Sequence, residues 1–294
     1  MCTAISDNLK GHFLARTLDV ERSYGERILG VGRKFPFSFL REETVSEHPF
    51  ILGIGIESEG YPLFFDAVNE RGLAVAGLNF PDSARYHKAR NGKTNVASFE
   101  FIPFVLSKCQ GVGEARELLR DVNVTDDGFS TSLCAAPLHW IIADRDECIV
   151  AEPLSDGLRV YENPLGVLTN EPPFPLQSKG CEEYTYSSRE CFSSRARFCR
   201  AQYVKSHTRA FSSSEGVSRM LSIMDTVRVP YACSSTPTGE PTYTAYTSCA
   251  DTQNCVYYVR EHSRFSVGRV EMGDFDFGAS ALRTLNFCHV KQIM

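Results

Sequence analysis

Hydrophobic positions in this chain fall mostly into short alternating or continuous runs and take helical spacing at only a few places. Cys2 to Ser6 alternates loosely and reads as a strand. His12 to Asp19 (HFLARTLD) reads as its hairpin partner across the turn Asp7-Asn8-Leu9-Lys10-Gly11, which brings Arg16 and Asp19 near Cys2. Phe50 to Glu57 (FILGIGIE) is predicted as a buried strand. Tyr61 to Ala67 and Leu73 to Leu78 flank the turn Asn69-Glu70-Arg71-Gly72 and form a second hairpin, closed by Asn79-Phe80-Pro81. Leu138 to Ala143, Cys148 to Glu152, Leu158 to Tyr161 and Val167 to Thr169 follow as strands. Pro172 and Pro173 stop the last of these, leaving Asn170 at a strand end.

Between Val96 and Val122 the spacing turns helical. One helix carries Phe99, Ile102 and Val105, with Pro103 in its first turn or at a kink; a second covers Val112 to Leu119. Ser193 or Ser194 caps a helix running to about Tyr203. Ser212 to Glu215 reads as a capping box for a helix with Val217, Met220, Leu221 and Met224 on one face. Strands return at Tyr243 to Ser248, Cys255 to Glu261 and Phe265 to Val270. There is no internal repeat and no linker rich in Gly, Pro or Ser. The pattern predicts an α+β fold, two antiparallel sheets covered by helices, in one domain over residues 2–294.

Composition narrows the function classes. The chain has 294 residues, 43% hydrophobic and 23% charged, within the range of globular proteins. A net charge of −5 without a basic run argues against nucleic-acid binding. The apolar runs have strand length, so no membrane span is expected, and no signal peptide is read at the start. A cytoplasmic location follows as an expectation. The eleven cysteines are odd in number and form no C-x-x-C pair. Without a secretory signal, most are expected to be reduced, small core residues.

Cys2 is the exception. Excision of Met1 would leave a residue carrying both a thiol and a free α-amine. Ordinary values for the two are about 8.5 and about 8, so the amine can act as base for the neighbouring thiol without a separate His. Taken alone, Cys2 also fits a small, half-buried residue opening an edge strand.

The blocks MCTAIS, ARTLD with Arg16 and Asp19, GLAVAGLNFP with Asn79, LTNEPPF with Asn170 and SSRARF with Arg197 occur in a fixed order. Together they resemble the choloylglycine hydrolase family, from residue 2 to about residue 204. The resemblance implies the four-layer αββα sandwich of N-terminal-nucleophile (Ntn) hydrolases. It implies an amidase of bacterial origin that needs no metal or organic cofactor. Cys2 resembles the nucleophile, and Arg16 the arginine that contacts its sulfur. Asp19 resembles the carboxylate that holds the α-amine. Asn79 and Asn170 resemble the pair at the oxyanion hole, and Arg197 the second arginine of the site. Arg228 in DTVRVP has flanks that do not match.

In this family bile salt hydrolases tend to carry Asn at the position of Asn79, and penicillin V acylases Tyr. The resemblance therefore implies conjugated bile acids such as glycocholate and taurocholate as substrates. Penicillin V or another N-acyl amide is the alternative on the same site; a weakly catalytic binder of amphipathic acids is a third reading. Leu18, Phe65, Ala67 and Phe129 are candidates for the wall against a steroid. There are two departures. Ala15 stands where the family usually has Gly, and the stretch between Phe174 and Ser193 is short. It lacks an excursion that helps to build the family's homotetramer, so a smaller assembly is expected.

Overall fold

The structure is a computed structural model and describes residues 1–294 except 10, 180, 182–190, 210–211, 213–214, 237 and 294. Its strands are, in chain order, β1 (Cys2–Asp7), β2 (Phe13–Val20), β3 (Arg27–Val31), β4 (Ile51–Ser58), β5 (Tyr61–Asn69) and β6 (Ala74–Asn79). There follow β7 (Thr94–Ala97), β8 (Val122–Thr125), β9 (Leu138–Ala143), β10 (Cys148–Leu154), β11 (Gly157–Glu162) and β12 (Val167–Leu168). The last are β13 (Ser234–Ser235), β14 (Pro241–Asp251), β15 (Val256–Glu261), β16 (Val267–Glu271), β17 (Leu282–Leu285) and β18 (Lys291–Ile293). The helices are α1 (Phe101–Lys108), α2 (Val112–Leu119), α3 (Phe174–Gln177), α4 (Ser194–His207) and α5 (Gly216–Asp225).

Among the described residues, the first sheet runs β12-β1-β2-β14-β15-β16-β18, with β13 beside β14. The second runs β11-β10-β9-β6-β5-β4-β3-β17. Both are antiparallel throughout. They face each other across a core that includes Ala4, Leu14, Leu18, Ile54, Ala76, Ile141 and Tyr246. Helices α4 and α5 pack on the outer side of the first sheet, against β1, β2 and β14. Helix α1 covers the outer side of the second, where Phe101, Phe104 and Trp140 form a separate apolar cluster. The expected α+β sandwich of two antiparallel sheets between helices is what the chain forms.

Several predicted elements need correction. Strand β3 has no sequence signal beyond a five-residue apolar run, yet it holds β4 on one side and β17 on the other. The chain-terminal strands were equally illegible, because they are too short and too polar to alternate visibly. Phe265, expected to open β16, is exposed in the turn before it. Helix α5 begins at Gly216, after the predicted capping box. The Glu215 carboxylate accepts from Ser212 N at 3.2 Å, while Ser213 and Ser214 lie outside the described residues. The same holds for Lys10 of the first turn and for most of the short stretch between Phe174 and Ser193. No helix among the described residues is long and apolar enough to cross a membrane.

The cysteine expectation fails in part. Cys181 and Cys199 are joined in a disulfide. Cys134, Cys233 and Cys288 are exposed. Cys109 and Cys249 do behave as core residues. Burial pushes the Cys109 and Cys148 thiols up to about 12, which makes them poor nucleophiles.

Candidate active site

Cys2 opens β1, whose register with β2 pairs Cys2 with Leu18, Thr3 with Thr17 and Ala4 with Arg16. Cross-strand partners point to the same side of a sheet, and successive residues to opposite sides. Cys2, Arg16 and Leu18 therefore face the gap between the sheets. Thr3, Thr17 and Asp19 face the helix layer, where Arg197 sits on α4. Cys2 is thus gripped from both sides of its own sheet.

On the inner side, Arg16 Nη2 donates to Cys2 Sγ at 3.0 Å and to the Gly77 carbonyl at 3.1 Å. Arg16 Nη1 donates to Asp66 Oδ1 at 3.2 Å and to the Tyr246 hydroxyl at 3.1 Å. The guanidinium is only 1% exposed. Burial opposes its charge, but Tyr246, Cys2 and Asp66 together hold it firmly protonated. Asp66 supplies the balancing charge, because burial keeps the Tyr246 phenol protonated. A fixed cation beside a sulfur favours the thiolate form.

On the helix side, β12 runs antiparallel to β1 with Ala4 opposite Leu168. Continuing that register by two residues sets Asn170 opposite Cys2. Asn170 Oδ1 accepts from Cys2 N at 2.8 Å and from Arg197 Nη2 at 2.7 Å. Its Nδ2 donates to the Asn79 carbonyl at 2.7 Å, which ties β12 to the end of β6 in the other sheet. Arg197 Nη1 donates to the Cys2 carbonyl and, at 2.7 Å, to Thr3 Oγ1. It lies 3.9 Å from Asp19 Oδ2. Burial pulls the Arg197 charge down, while Asp19 and Cys2 offset that.

The Asp19 carboxylate accepts from Thr244 Oγ1 at 2.6 Å and weakly from Thr17 Oγ1 at 3.4 Å. Next to Met1, Cys2 N is an amide with a single hydrogen, which it donates to Asn170 Oδ1. Met1 itself extends β1: its carbonyl accepts from Asp19 N at 2.9 Å and its amine donates to the Asp19 carbonyl at 2.6 Å.

The six residues singled out in sequence converge here: Cys2, Arg16, Asp19, Asn79, Asn170 and Arg197. Beside them opens a cavity of about 400 Å³, lined by Leu18, Val20, Ile56, Phe65, Phe99, Ile102, Phe129 and Leu138 together with Cys2, Arg16 and Asn79. Three of the four proposed wall residues line it. Ala67 does not: it is 1% exposed and packs in the outer cluster under α1. A bulge explains the difference. Ile54 pairs with Asp66 but Gly55 with Phe64, so Phe65 is an extra residue and turns inward beside Asp66. Ala67 then alternates outward.

Sequence reading missed Asp66, Gly77, Tyr246 and Gln177. Gln177 Nε2 donates to the carbonyls of Asn170 at 2.5 Å and Pro172 at 2.7 Å, and so fixes the loop after β12. Asp66 had a local signal, a lone carboxylate inside the apolar run YPLFFDAV. Gly77 and Tyr246 had none, because their partner Arg16 lies far away in the chain, and Gln177 had none although its partners are only five and seven residues away.

This arrangement of two antiparallel sheets, with a cysteine at the start of the strand next to the edge of one of them, defines a class. The family model for linear amide C–N hydrolases, choloylglycine hydrolase family, matches residues 2–194 and 190–284, and the chain belongs to that family. Among curated relatives, a bile salt hydrolase/transferase of Lactiplantibacillus plantarum is 33% identical over 92% of this chain and 92% of its own. A conjugated bile acid hydrolase of Lactobacillus acidophilus is 28% identical over 97% of this chain and all of its own. Among solved structures, a C2A mutant of the Clostridium perfringens conjugated bile acid hydrolase superposes with a TM-score of 0.89 at 26% identity, covering 97% of each chain. A penicillin V acylase of Agrobacterium tumefaciens shares the fold, with a TM-score of 0.80 at 17% identity over 99% of this chain and 94% of its own.

Proposed function

We propose that the protein hydrolyses the amide bond of glycine- and taurine-conjugated bile acids, with Cys2 as nucleophile once Met1 is excised. One observation carries the reading: Cys2, its sulfur held by Arg16, lines a mostly apolar cavity. The rings of Phe65, Phe99 and Phe129 offer a flat apolar acyl group such as a steroid the area it must bury. The bile salt hydrolase/transferase and the conjugated bile acid hydrolase among the bacterial relatives point to the same substrates.

The α-amine of Cys2 takes the thiol proton, and Sγ attacks the amide carbonyl to form a C–S bond. Asn79 and Asn170 supply donors for the charge that develops on the carbonyl oxygen. The C–N bond breaks as the ammonium returns its proton to the leaving amine, releasing glycine or taurine. Water then hydrolyses the thioester, giving the free bile acid and restoring the thiol. Asp19 and Arg197 hold the amine and the Cys2 backbone through these steps.

The test is a product assay with glycocholate, taurocholate and penicillin V on purified protein whose intact mass shows loss of Met1. Release of glycine or taurine well above phenoxyacetate release supports the reading. Preferential hydrolysis of penicillin V would replace it.

A further inference from the structure

We propose that Asp66 is a positioning residue for the reaction, holding the Arg16 guanidinium at the Cys2 sulfur from the opposite sheet. This rests on Cys2 being the nucleophile. Asp66 lies on β5 of the second sheet, and the partners of its carboxylate lie on the first. Oδ1 accepts from Arg16 Nη1 at 3.2 Å and from the Tyr246 hydroxyl. Oδ2 accepts from Ser248 Oγ at 2.8 Å and from the Tyr257 hydroxyl. All five side chains are 2% exposed or less. Burial keeps both phenols protonated, so each is available as a donor. Four donors on one carboxylate describe an ionised Asp66 with its acceptor sites filled.

Such a network is a poor device for stability alone. Two charges in an apolar core cost several kcal/mol of desolvation each, and apolar side chains of similar volume often do as well or better. What the network achieves is placement. Arg16 reaches Sγ and the Gly77 carbonyl with one nitrogen, and Asp66 and Tyr246 with the other. Asp66 is the only anion among these four partners apart from the nucleophile itself. Tyr246 and Ser248 lie on β14 and Tyr257 on β15, so the carboxylate is located by the first sheet while its backbone belongs to the second. The distance between Arg16 and Cys2 is therefore set across the whole sandwich.

The experiment compares Asp66→Asn in the parent and in an Arg16→Leu background. Two readouts are taken: hydrolysis of glycocholate, and the rate of Cys2 alkylation by iodoacetamide, which needs no substrate. In the parent background kcat should fall about 10- to 100-fold, as expected for a displaced reacting group, with KM nearly unchanged. Alkylation should slow in parallel. In the Arg16→Leu background the same substitution should change neither by more than about twofold, because residues that act as a unit are non-additive. Equal losses in both backgrounds, or unchanged alkylation in the parent, would overturn the proposal. Thermal unfolding of each variant checks the fold. If Asp66→Asn does not fold, Tyr257→Phe takes its place and should give a smaller loss confined to the parent background; an equal loss in both backgrounds counts against it. If the parent does not cleave bile salts, the substrate reading fails, and the alkylation comparison still decides the role of Asp66.

Discussion

Cys2 differs from the other thiols in having a guanidinium on its sulfur and its backbone nitrogen on Oδ1 of the Asn170 side chain. Cys2→Ser should keep the fold, since the two side chains are nearly isosteric, and should lower hydrolysis on the order of 10³-fold or more. A serine hydroxyl is much harder to ionise than a thiol. Turnover near that of the parent, with Met1 excision verified by mass, would remove Cys2 from its role. Asn79 poses a different question. Its carbonyl is committed to Asn170, while its exposed side chain borders the cavity. Asn79→Tyr should leave the carbonyl contact in place and alter only what the substrate meets. The ratio of glycocholate to penicillin V hydrolysis is expected to fall. Equal proportional losses on both substrates would make Asn79 a catalytic group without a part in selection.

At the level of elements, β1 and β2 carry the site, and their far end is held by a buried histidine. His12 contacts Ser6 Oγ at 3.3 Å and Thr252 Oγ1 at 2.7 Å, joining β1 to the turn after β14. Burial lowers its pKa to about 4, against smaller opposing contributions from Asp144, Asp146 and Asp251. The unfolded chain takes up this proton near pH 6.5 and the folded one only near pH 4. The neutral ring therefore contributes stability that is fully present above pH 6.5 and is lost as pH falls towards 4. The shift corresponds to roughly 3 kcal/mol at most. The fall in Tm between pH 7 and pH 4 should be smaller in His12→Asn than in the parent; an identical fall would assign the acid sensitivity to other groups. A second element-level feature is the Cys181–Cys199 disulfide, which fastens the chain after α3 to α4 two residues from Arg197. It lies where the sequence pattern departs from the family, and the two matched ranges of the family model also meet there, at residues 190–194.

That departure bears on the whole molecule. The resemblance implies a tetramer built in part by an excursion that is short here between Phe174 and Ser193, and specific interfaces generally need more than about 1,000 Å² of buried area. We expect a monomer or dimer at micromolar concentration, or a tetramer that dissociates on dilution, and light scattering across a dilution series checks it. A stable tetramer at the lowest measurable concentration would mean that another surface has taken over. Much of the fold and site was legible beforehand because it is local. Alternation in Cys2–Ser6 and His12–Asp19 fixes a hairpin, and a hairpin alone places Arg16 and Leu18 beside Cys2. Prolines 172 and 173 end a strand and leave Asn170 at its tip. Ordered motif blocks then named the family. What stayed hidden depends on pairings between distant parts of the chain. The partnership of Asp66 with Tyr246, Ser248 and Tyr257 spans up to 191 residues, and no local pattern encodes it. The inward turn of Phe65, and with it the outward turn of Ala67, comes from a bulge against β4 that only strand register reveals. By itself the sequence determined the hairpin that sets Arg16 and Leu18 beside Cys2 and the two-sheet architecture, since these follow from short-range periodicity, while the nucleophile reading of Cys2 comes from the resemblance of the ordered motif blocks. The tertiary structure decided which buried carboxylate balances Arg16, which apolar residues form the cavity and which cysteines are joined, because each of these requires two chain segments to meet in space.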